Sequence, residues 1–260
     1  MITSYFEDGL KFTLLKNGYS YSVGMGSATN ETKINIPSTF KGRPVITIAR
    51  NGFYNCGSLE SITIPEGVTS IRFGAFSNCK SLREIKIPNS IVSIGHYAFY
   101  ECLSLETIDI PSSVTSIGHY AFYECSNLKH ISMPDTLKSL GEQAFSGCVS
   151  LTSIKIPNGI TSIGSGMFTN CVSLNTIDIP DGVTSIGVAA FRECTSLESI
   201  TIPNSVKSIG EYAFYGCNSL KTVYYAGTEE QWKSIQINND HSSNEHLINA
   251  TIIYIYKNNY

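Results

Sequence analysis

The stretch Ala-Phe-Tyr-Glu-Cys-Leu-Ser-Leu-Glu-Thr-Ile-Asp-Ile-Pro, residues 98–111, recurs in the same apolar frame along most of the chain. Its cysteine belongs to a series with a constant interval of 23 residues. Self-similarity at one fixed period of about 20–50 residues is typical of solenoids, in which each unit packs on the next. The sequence therefore predicts one elongated repeat domain. The series includes every cysteine of the chain: Cys56, Cys79, Cys102, Cys125, Cys148, Cys171, Cys194 and Cys217.

The residues after each cysteine predict a strand. Counted from the cysteine, leucine stands at +3 and apolar residues stand at +6 and +8 in all eight units. Residues two apart share one face of a strand, so +6 and +8 are expected to face the core, while +5 and +7 face outward. Proline at +9 follows in seven units and ends the strand, because it has no N–H to donate.

The second half of each unit predicts a short extended segment followed by helix. Apolar residues stand at +12 and +15, and the pattern Ala-Phe-x-x-Cys-x-x-Leu follows, with its apolar residues at helical spacing. One unit alone cannot bury this many apolar side chains, whereas stacked units form a continuous core. We therefore predict an α/β repeat solenoid with a parallel β-sheet and one or two helical turns per unit.

The two ends of the chain depart from the repeat and are expected to cap it. Residues 1–32 carry alternating stretches on either side of Asn17-Gly18, which predicts a β-hairpin with a tight turn and both central residues at positive φ. Residues 33–226 form the predicted solenoid of about eight units, with a loop insertion around Phe40–Pro44.

Residues 227–260 are predicted to form a C-terminal helix–strand cap. Thr228 and Gln231 have the spacing of a capping box at the start of a helix. Asn238–Glu245 is polar and predicts a loop, and Ile252–Tyr256 predicts a final strand.

The cysteines are predicted to be free and buried. Equivalent positions in stacked strands lie about 4.8 Å apart, whereas the β-carbons of a disulfide lie about 3.8 Å apart. Free cysteine is among the most buried residue types. The series therefore indicates a core column rather than a disulfide or metal framework.

Composition and charge exclude several classes of protein. A net charge of −3 gives no electrostatic footprint for nucleic acid. No apolar run approaches the roughly 18 residues of a membrane span, so we expect no membrane insertion. The residues after Met1 lack the basic start and apolar run of a signal peptide. We expect a cytoplasmic location if Met1 is the native start, and otherwise a removed leader.

The repeat resembles a known family. The Leu-x-x-Ile-x-Ile-Pro core is similar to the leucine-rich repeat signature. The frame Val-x-Ser-Ile-Gly-x-x-Ala-Phe-x-x-Cys resembles the BspA-type subgroup over roughly residues 33–226. The segment from Tyr225 to Trp232 resembles the tail that closes bacterial members. The resemblance implies a curved right-handed superhelix with a parallel sheet, roles in adhesion and protein recognition, a secreted or cell-surface location, and no catalysis.

The outward strand positions are the first candidate binding site. Core positions hardly change between units, whereas +5 and +7 change in charge and size, and a repeat sheet offers an extended surface to a partner. The alternative is a solvated face that need only be polar. The candidate residues are Glu84, Lys86, Thr107, Asp109, His130, Ser132, Lys155 and Asp178.

An aromatic patch from two adjacent units is the second candidate. Tyrosine is enriched at interfaces, because it combines apolar area with a polar tip. The alternatives are that these rings pack on one another, or that the two units are a duplication. The two histidines could reach one metal ion, but no third ligand is evident. The patch comprises His96, Tyr97, Tyr100, His119, Tyr120 and Tyr123.

The sequence favours a non-enzymatic protein-recognition scaffold with an adhesive role. No catalytic motif, metal site or cofactor site is recognisable. A carbohydrate-binding module that uses exposed tyrosine, serine and threonine rows is the first alternative, and a structural spacer is the second. We expect a protein partner, possible carbohydrate binding, no nucleic acid, and a monomer.

Overall fold

The computed structural model describes residues 3–26 and 30–255, which form a β-solenoid of about nine turns. Each regular turn except that of Cys148 contributes one strand to a first sheet at +5 to +7, and most turns contribute a shorter one to a second sheet at +14 and +15. Equivalent residues of successive units pair in parallel without register shift, as Ile85 does with Ile62. The expected parallel sheet is confirmed, while the right-handed sense remains a prediction.

The first sheet contains the predicted strands. In the regular units its +6 and +8 side chains are buried, apart from partly buried Ile131, and its +5 and +7 side chains are mostly exposed, as the alternation predicted. Its strands are β4 (Lys33–Asn35), β7 (Ser61–Thr63), β9 (Glu84–Lys86), β11 (Thr107–Asp109), β13 (His130–Ser132), β16 (Thr176–Asp178), β18 (Ser199–Pro203), β20 (Thr222–Ala226) and β22 (Thr251–Tyr254). Hydrogen bonding divides the sheet into three parts, β4-β7-β9, β11-β13 and β16-β18-β20-β22.

The second sheet is formed by the predicted extended segments. Its strands are β6 (Arg43–Ile48), β8 (Ser70–Ile71), β10 (Ser93–Ile94), β12 (Ser116–Ile117), β14 (Ser139–Leu140), β15 (Ser162–Ile163), β17 (Ser185–Ile186), β19 (Ser208–Ile209) and β21 (Gln236–Ile237). The sheet has two parts, β6-β8-β10-β12-β14 and β15-β17-β19-β21.

The helical turns predicted in each unit do not form, and the α/β description of the repeats is not confirmed. The Ala-Phe-x-x-Cys segments are consecutive turns, and left-handed residues such as Tyr97 (φ 57°) and Glu101 (φ 53°) interrupt any helix. Cys102 N–H bonds within its unit, to the Phe99 carbonyl at 3.2 Å. Phe99 N–H bonds to the next unit, to the Ala121 carbonyl at 2.8 Å. We call these bonds between units the turn ladder.

The core is a set of columns that run along the solenoid axis. The phenylalanine of each turn segment stacks on the next, with ring centroids 5.3 to 5.7 Å apart from Phe53 to Phe214. Leucine at +3 and isoleucine at +6 and +8 form parallel columns beside it. Full burial of one such apolar side chain stabilises the fold by about 1.5–3 kcal/mol.

All eight cysteines are free, and all except Cys56 are buried. Each buried thiol donates to a phenylalanine carbonyl of the preceding unit, as Cys125 Sγ does to Phe99 O at 3.1 Å. Burial raises the pKa of the Cys171 and Cys217 thiols to about 12. The column is therefore structural, and its thiols are poor nucleophiles.

The N-terminal region is a three-stranded antiparallel sheet of β1 (Ser4–Glu7), β2 (Leu10–Leu14) and β3 (Tyr21–Met25), and β3 pairs in parallel with β6. The tight Asn17-Gly18 turn was predicted wrongly. Gly18 alone of the two has positive φ, because Asn17 Oδ1 accepts from the N–H groups of Tyr19 and Ser20 and forms a longer turn.

The first unit's predicted loop insertion is instead a second hairpin. β5 (Thr39–Phe40) pairs antiparallel with β6 around Lys41 and Gly42. Their φ values are 49° and 71°, which fits a type I′ turn.

The C-terminal segment adds β21 and β22 to the two sheets, and a side chain replaces the last backbone acceptor of the turn ladder. The capping box begins α1 (Glu229–Lys233), and the predicted polar loop contains a 3-10 helix (Asp240–Ser242) and the start of α2 (Glu245–Ile248). Buried Asn244 accepts from Phe214 N–H at 2.9 Å, where other units use a backbone carbonyl. Tyr256 of the predicted final strand lies outside the described residues.

Both sheets are interrupted at one boundary, between the unit of Cys125 and the unit of Cys148. Residues 151–157 form no strand, and neither Thr152 nor Gly164 N–H bonds to the preceding unit. A β-carbon built on Gly164 would lie 3.3 Å from its nearest neighbour, against 2.3 Å for Gly141. The second sheet is therefore more widely spaced here.

The sequence changes at this same boundary. Met167 occupies a position that is alanine in six units, and its buried side chain reaches Gly164, with Cε 3.4 Å from a β-carbon built there. Ile131 and Leu140 are only partly buried, unlike their equivalents. The turn ladder persists, since Phe145 N–H bonds to the Met167 carbonyl at 3.0 Å.

The thiol column gives a first prediction. In the native protein at about pH 8, a thiol reagent should label Cys56 much faster than the other seven cysteines, because it alone is only partly buried; burial raises the pKa of Cys56 as well, so the difference rests on access. Denaturant should expose all eight. In a Cys56→Ser control the rapid phase should disappear, and rapid labelling of two or more native thiols would contradict the buried column.

The interrupted boundary gives a second prediction. The amides of Thr152, Thr161 and Gly164 lack the bonds between units made one unit later by Asn175, Thr184 and Gly187. They should exchange with deuterium at least about tenfold faster than those three matched amides, as measured by NMR. Equal protection of the two sets would show that the sheets are continuous in solution.

Candidate functional site

The exposed strand face brings all eight predicted strand residues to one surface. Each occupies +5 or +7 of a first-sheet unit and each is exposed. They form two columns along the solenoid, because parallel register places equivalent residues side by side. The structure therefore places these candidates together as a surface, and their role remains a proposal.

A third column beside them, at +4, was missed by the sequence reasoning. It alternates in charge over four units, through Glu60, Arg83, Glu106 and Lys129. Lys129 Nζ lies 2.9 Å from Glu106 Oε2. This hydrogen bond, with the lysine charge, lowers the pKa of the Glu106 carboxyl. Alternation at a 23-residue interval was the signal that could have revealed it.

Groove 1 is a depression of about 730 Å³ across β7, β9 and β11. It contains the interruption between β9 and β11, where Lys86 and Asp109 lie on opposite sides. In several paired units the +8 N–H bonds to the next strand, as Ile110 N–H does to Ser132 O at 2.9 Å. Ile87 N–H makes no such backbone bond to a described residue. The groove thus combines opposite charges with an unpaired main chain.

Groove 2 is a second depression, of about 520 Å³, between residues 153–158 and β16. Lys155 and Asp178 line it, again from successive units. Lys155 Nζ lies 3.3 Å from Asp135 Oδ2. The pKa of the Asp135 carboxyl is lowered, first because the Asn158 N–H donates to it and then because Lys155 does.

The two grooves are equivalent by a shift of three units. Lys86 and Lys155 are 69 residues apart, as are Asp109 and Asp178. Strand pairing is incomplete in both, since no strand pair forms but one bond at +4 remains, from Glu106 N–H to Arg83 O at 3.4 Å and from Asn175 N–H to Thr152 O at 3.2 Å. The exposed strand face therefore presents the same lysine–aspartate pair twice, with Glu84 adding a third charge in groove 1 where groove 2 has Ser153.

The aromatic patch is assembled as two short stacks. The rings of Tyr97 and Tyr120 are 4.8 Å apart at 9°, and those of Tyr100 and Tyr123 are 4.9 Å apart at 5°. Phe73 covers part of the outer side of Tyr97, at 5.1 Å. The rings therefore turn their faces toward one another, as the packing alternative foresaw, and present mainly edges and hydroxyls.

Carboxylates lie against this patch. Burial, followed by a hydrogen bond with Glu101, raises the pKa of Tyr100 to about 12. The pKa of Glu124 is also raised, first by burial and then by the charge of Glu101. This clustering of partly buried acids beside tyrosine hydroxyls was not predicted.

The two histidines stack at 4.9 Å, and their Nδ1 atoms are used internally. His96 Nδ1 accepts from His119 N–H at 3.0 Å, and His119 Nδ1 accepts from Glu142 N–H at 3.2 Å. Among residues 3–26 and 30–255, no three His, Cys, Asp or Glu side chains are placed to hold a metal ion.

Comparison with known proteins identifies the family. The BspA type leucine rich repeat region, in six copies, matches residues 46–172 and 115–244, which together cover more than half of the chain. The chain belongs to the BspA-type leucine-rich repeat family. Proteins of this family are typically non-enzymatic repeat scaffolds that bind other proteins. Among curated proteins, none matches the sequence at a significant level.

Solved structures of bacterial leucine-rich repeat proteins are similar to this one. A protein from Bacteroides ovatus is 30% identical with a TM-score of 0.61, over 85% of this chain and 70% of that one. The leucine-rich repeat protein of T. pallidum is 25% identical with a TM-score of 0.59, over 90% and 94%. A leucine-rich cell surface protein from Faecalibacterium prausnitzii is 25% identical with a TM-score of 0.52, over 90% and 97%.

The helices of this repeat protein are short. In the described part of the chain, none has the length and apolar character required to cross a membrane.

The acids beside the tyrosines give a third prediction. A carboxyl whose pKa is raised on folding destabilises the fold above its folded pKa and has no such effect below the unfolded value. Glu124→Gln should therefore raise the thermal unfolding midpoint at about pH 7, and this gain should vanish at about pH 3.

The matched control is Glu66→Gln, which replaces an exposed glutamate away from Glu101 and should change the midpoint little. A pH-independent effect of Glu124→Gln would show that its charge is not the cause.

Proposed function

We propose that the protein is a non-enzymatic adhesion scaffold that recognises a partner protein along the exposed strand face. The observation that carries this proposal is the repetition of grooves 1 and 2 on one surface. Each sets a lysine and an aspartate across an interrupted strand ladder. A protein segment can meet both charges and also pair with exposed main chain.

The physical features favour protein over carbohydrate as the ligand. A sugar-binding aromatic platform presents ring faces, whereas Tyr97, Tyr100, Tyr120 and Tyr123 are stacked on one another. The strand face instead offers separated opposite charges over an apolar floor that includes Ile85. We therefore place recognition on the strand face and propose no separate carbohydrate function.

The location and assembly of the protein follow as proposals. The name of the Faecalibacterium relative describes a cell surface protein. Together with the BspA-type family, this supports a surface or secreted location for the present chain. We propose that it acts as a monomer, with residues 1–32 and 227–260 capping the solenoid of residues 33–226.

The test is a binding screen of the full chain against purified extracellular proteins and a glycan array. The variant Lys86→Glu/Asp109→Lys/Lys155→Glu/Asp178→Lys exchanges the charges within each groove and keeps the net charge. It should weaken binding to a protein ligand at least about tenfold, because charge complementarity is lost.

The control variant Tyr97→Ala/Tyr120→Ala should leave that binding unchanged. The proposal fails if the wild-type protein binds glycans but no protein. It also fails if the aromatic variant, rather than the charge-exchanged variant, loses binding.

A further inference from the structure

The first strand of the first sheet has an open edge. β4 pairs with β7 on one side, with Ser61 N–H donating to Thr32 O and Ile36 N–H to Thr63 O, both at 3.1 Å. Alternate residues of a strand in a parallel ladder bond to opposite neighbours. The N–H and C=O groups of Lys33 and Asn35 therefore point away from β7, and no described residue pairs with them.

A groove of about 380 Å³ lies beside this edge. We call it the edge groove. Leu10, Phe12, Ile34 and Phe40 line it, and each is at most 8% exposed. The stacked rings of Phe12 and Phe40, 4.1 Å apart, form a rigid part of this lining. The column of apolar +6 side chains thus ends at Ile34 beside an apolar wall.

The N-terminal strands leave this groove open. β1, β2 and β3 extend the second sheet by three strands beyond β6, while the first sheet has no strand beyond β4 among the described residues. The end of the solenoid is therefore uneven, because the second sheet extends further than the first. The end of a second solenoid carries strands of both sheets and would meet β1–β3 before reaching β4, whereas a single extended strand fits beside it.

We propose that the edge groove binds an extended segment of a partner protein, which adds to β4 as one more parallel strand. Main-chain bonds to Lys33 and Asn35 supply the pairing, and one inward apolar side chain rests on the groove lining, as in other cases of strand addition. The lining also carries charges of both signs, Glu7, Asp8 and Glu31 against Lys33 and Lys41, so a segment with both acidic and basic residues beside the apolar one is favoured. This site is separate from grooves 1 and 2.

A peptide copied from the protein's own strand is a suitable probe. Residues 81–89, Ser-Leu-Arg-Glu-Ile-Lys-Ile-Pro-Asn, form a first-sheet strand and place Ile85 between Arg83 and Lys86. The labelled peptide should bind the full chain saturably in fluorescence anisotropy. Its NMR shift changes should map to residues 7–12 and 31–41. A peptide methylated on the Ile85 and Ile87 nitrogens should bind at least about tenfold more weakly.

Two protein variants complete the test. Lys33→Pro and Asn35→Pro each remove one outward N–H and should weaken binding of the peptide at least about tenfold. An unchanged unfolding midpoint shows that each variant is folded. If a proline variant does not fold, the comparison with the methylated peptide decides alone.

Three results would overturn the proposal. They are equal binding of the two peptides, shift changes confined to the strand face, and no saturable binding up to about 1 mM peptide. Sedimentation adds a further check, since concentration-dependent dimers abolished by Asn35→Pro would assign the groove to a second copy instead. The charge-exchanged groove variant should still bind the peptide, so failure of the proposed function would leave this result intact.

Discussion

A backbone ladder along the turn segments is the interaction on which the whole stack depends. At every boundary from the first unit to the last, the turn-segment phenylalanine donates its N–H to the next unit, including 2.7 Å for Phe53 to Ala75 O. At the end of the series the Asn244 side chain accepts in place of a carbonyl. Buried N–H groups must be paired, so this ladder fixes the register in which the phenylalanine, leucine and cysteine columns pack.

Because the turn ladder holds the units together, the strands are free to vary. Both sheets are interrupted beside Met167 while Phe145 keeps its bond to that residue. The first sheet is also interrupted between Lys86 and Asp109, and strand pairing is incomplete between Lys155 and Asp178, so that each groove lies between opposite charges. The features that support recognition thus arise where repeat packing is incomplete. The open edge of β4 belongs to the same class, since it too presents strand groups without a partner.

Much of this architecture could be predicted from residues alone. The alternation around Ile85 and Ile87 gave the inward face, and the interval of Cys102 to Cys125 gave the register and the neighbours Tyr97 and Tyr120. Helix was predicted wrongly because apolar residues at these spacings suit a helix and stacked turns equally; only the backbone conformation distinguishes them. The grooves could not be predicted, since they depend on hydrogen bonds missing between nearly identical units, although the 69-residue recurrence of the lysine–aspartate pair was visible.

The most direct test of this account is the NMR coupling that passes through a hydrogen bond, from amide nitrogen to carbonyl carbon, in the perdeuterated full chain. If the turn ladder holds the units together, a measurable coupling is expected from Phe145 N to Met167 C and from the equivalent pairs at other boundaries. None is expected from Thr152 N to Lys129 C, although Asn175 N to Thr152 C should show one. Coupling across the Thr152 pair together with its absence across the Phe145 pair would contradict the account, because the strands rather than the turns would then hold the units together.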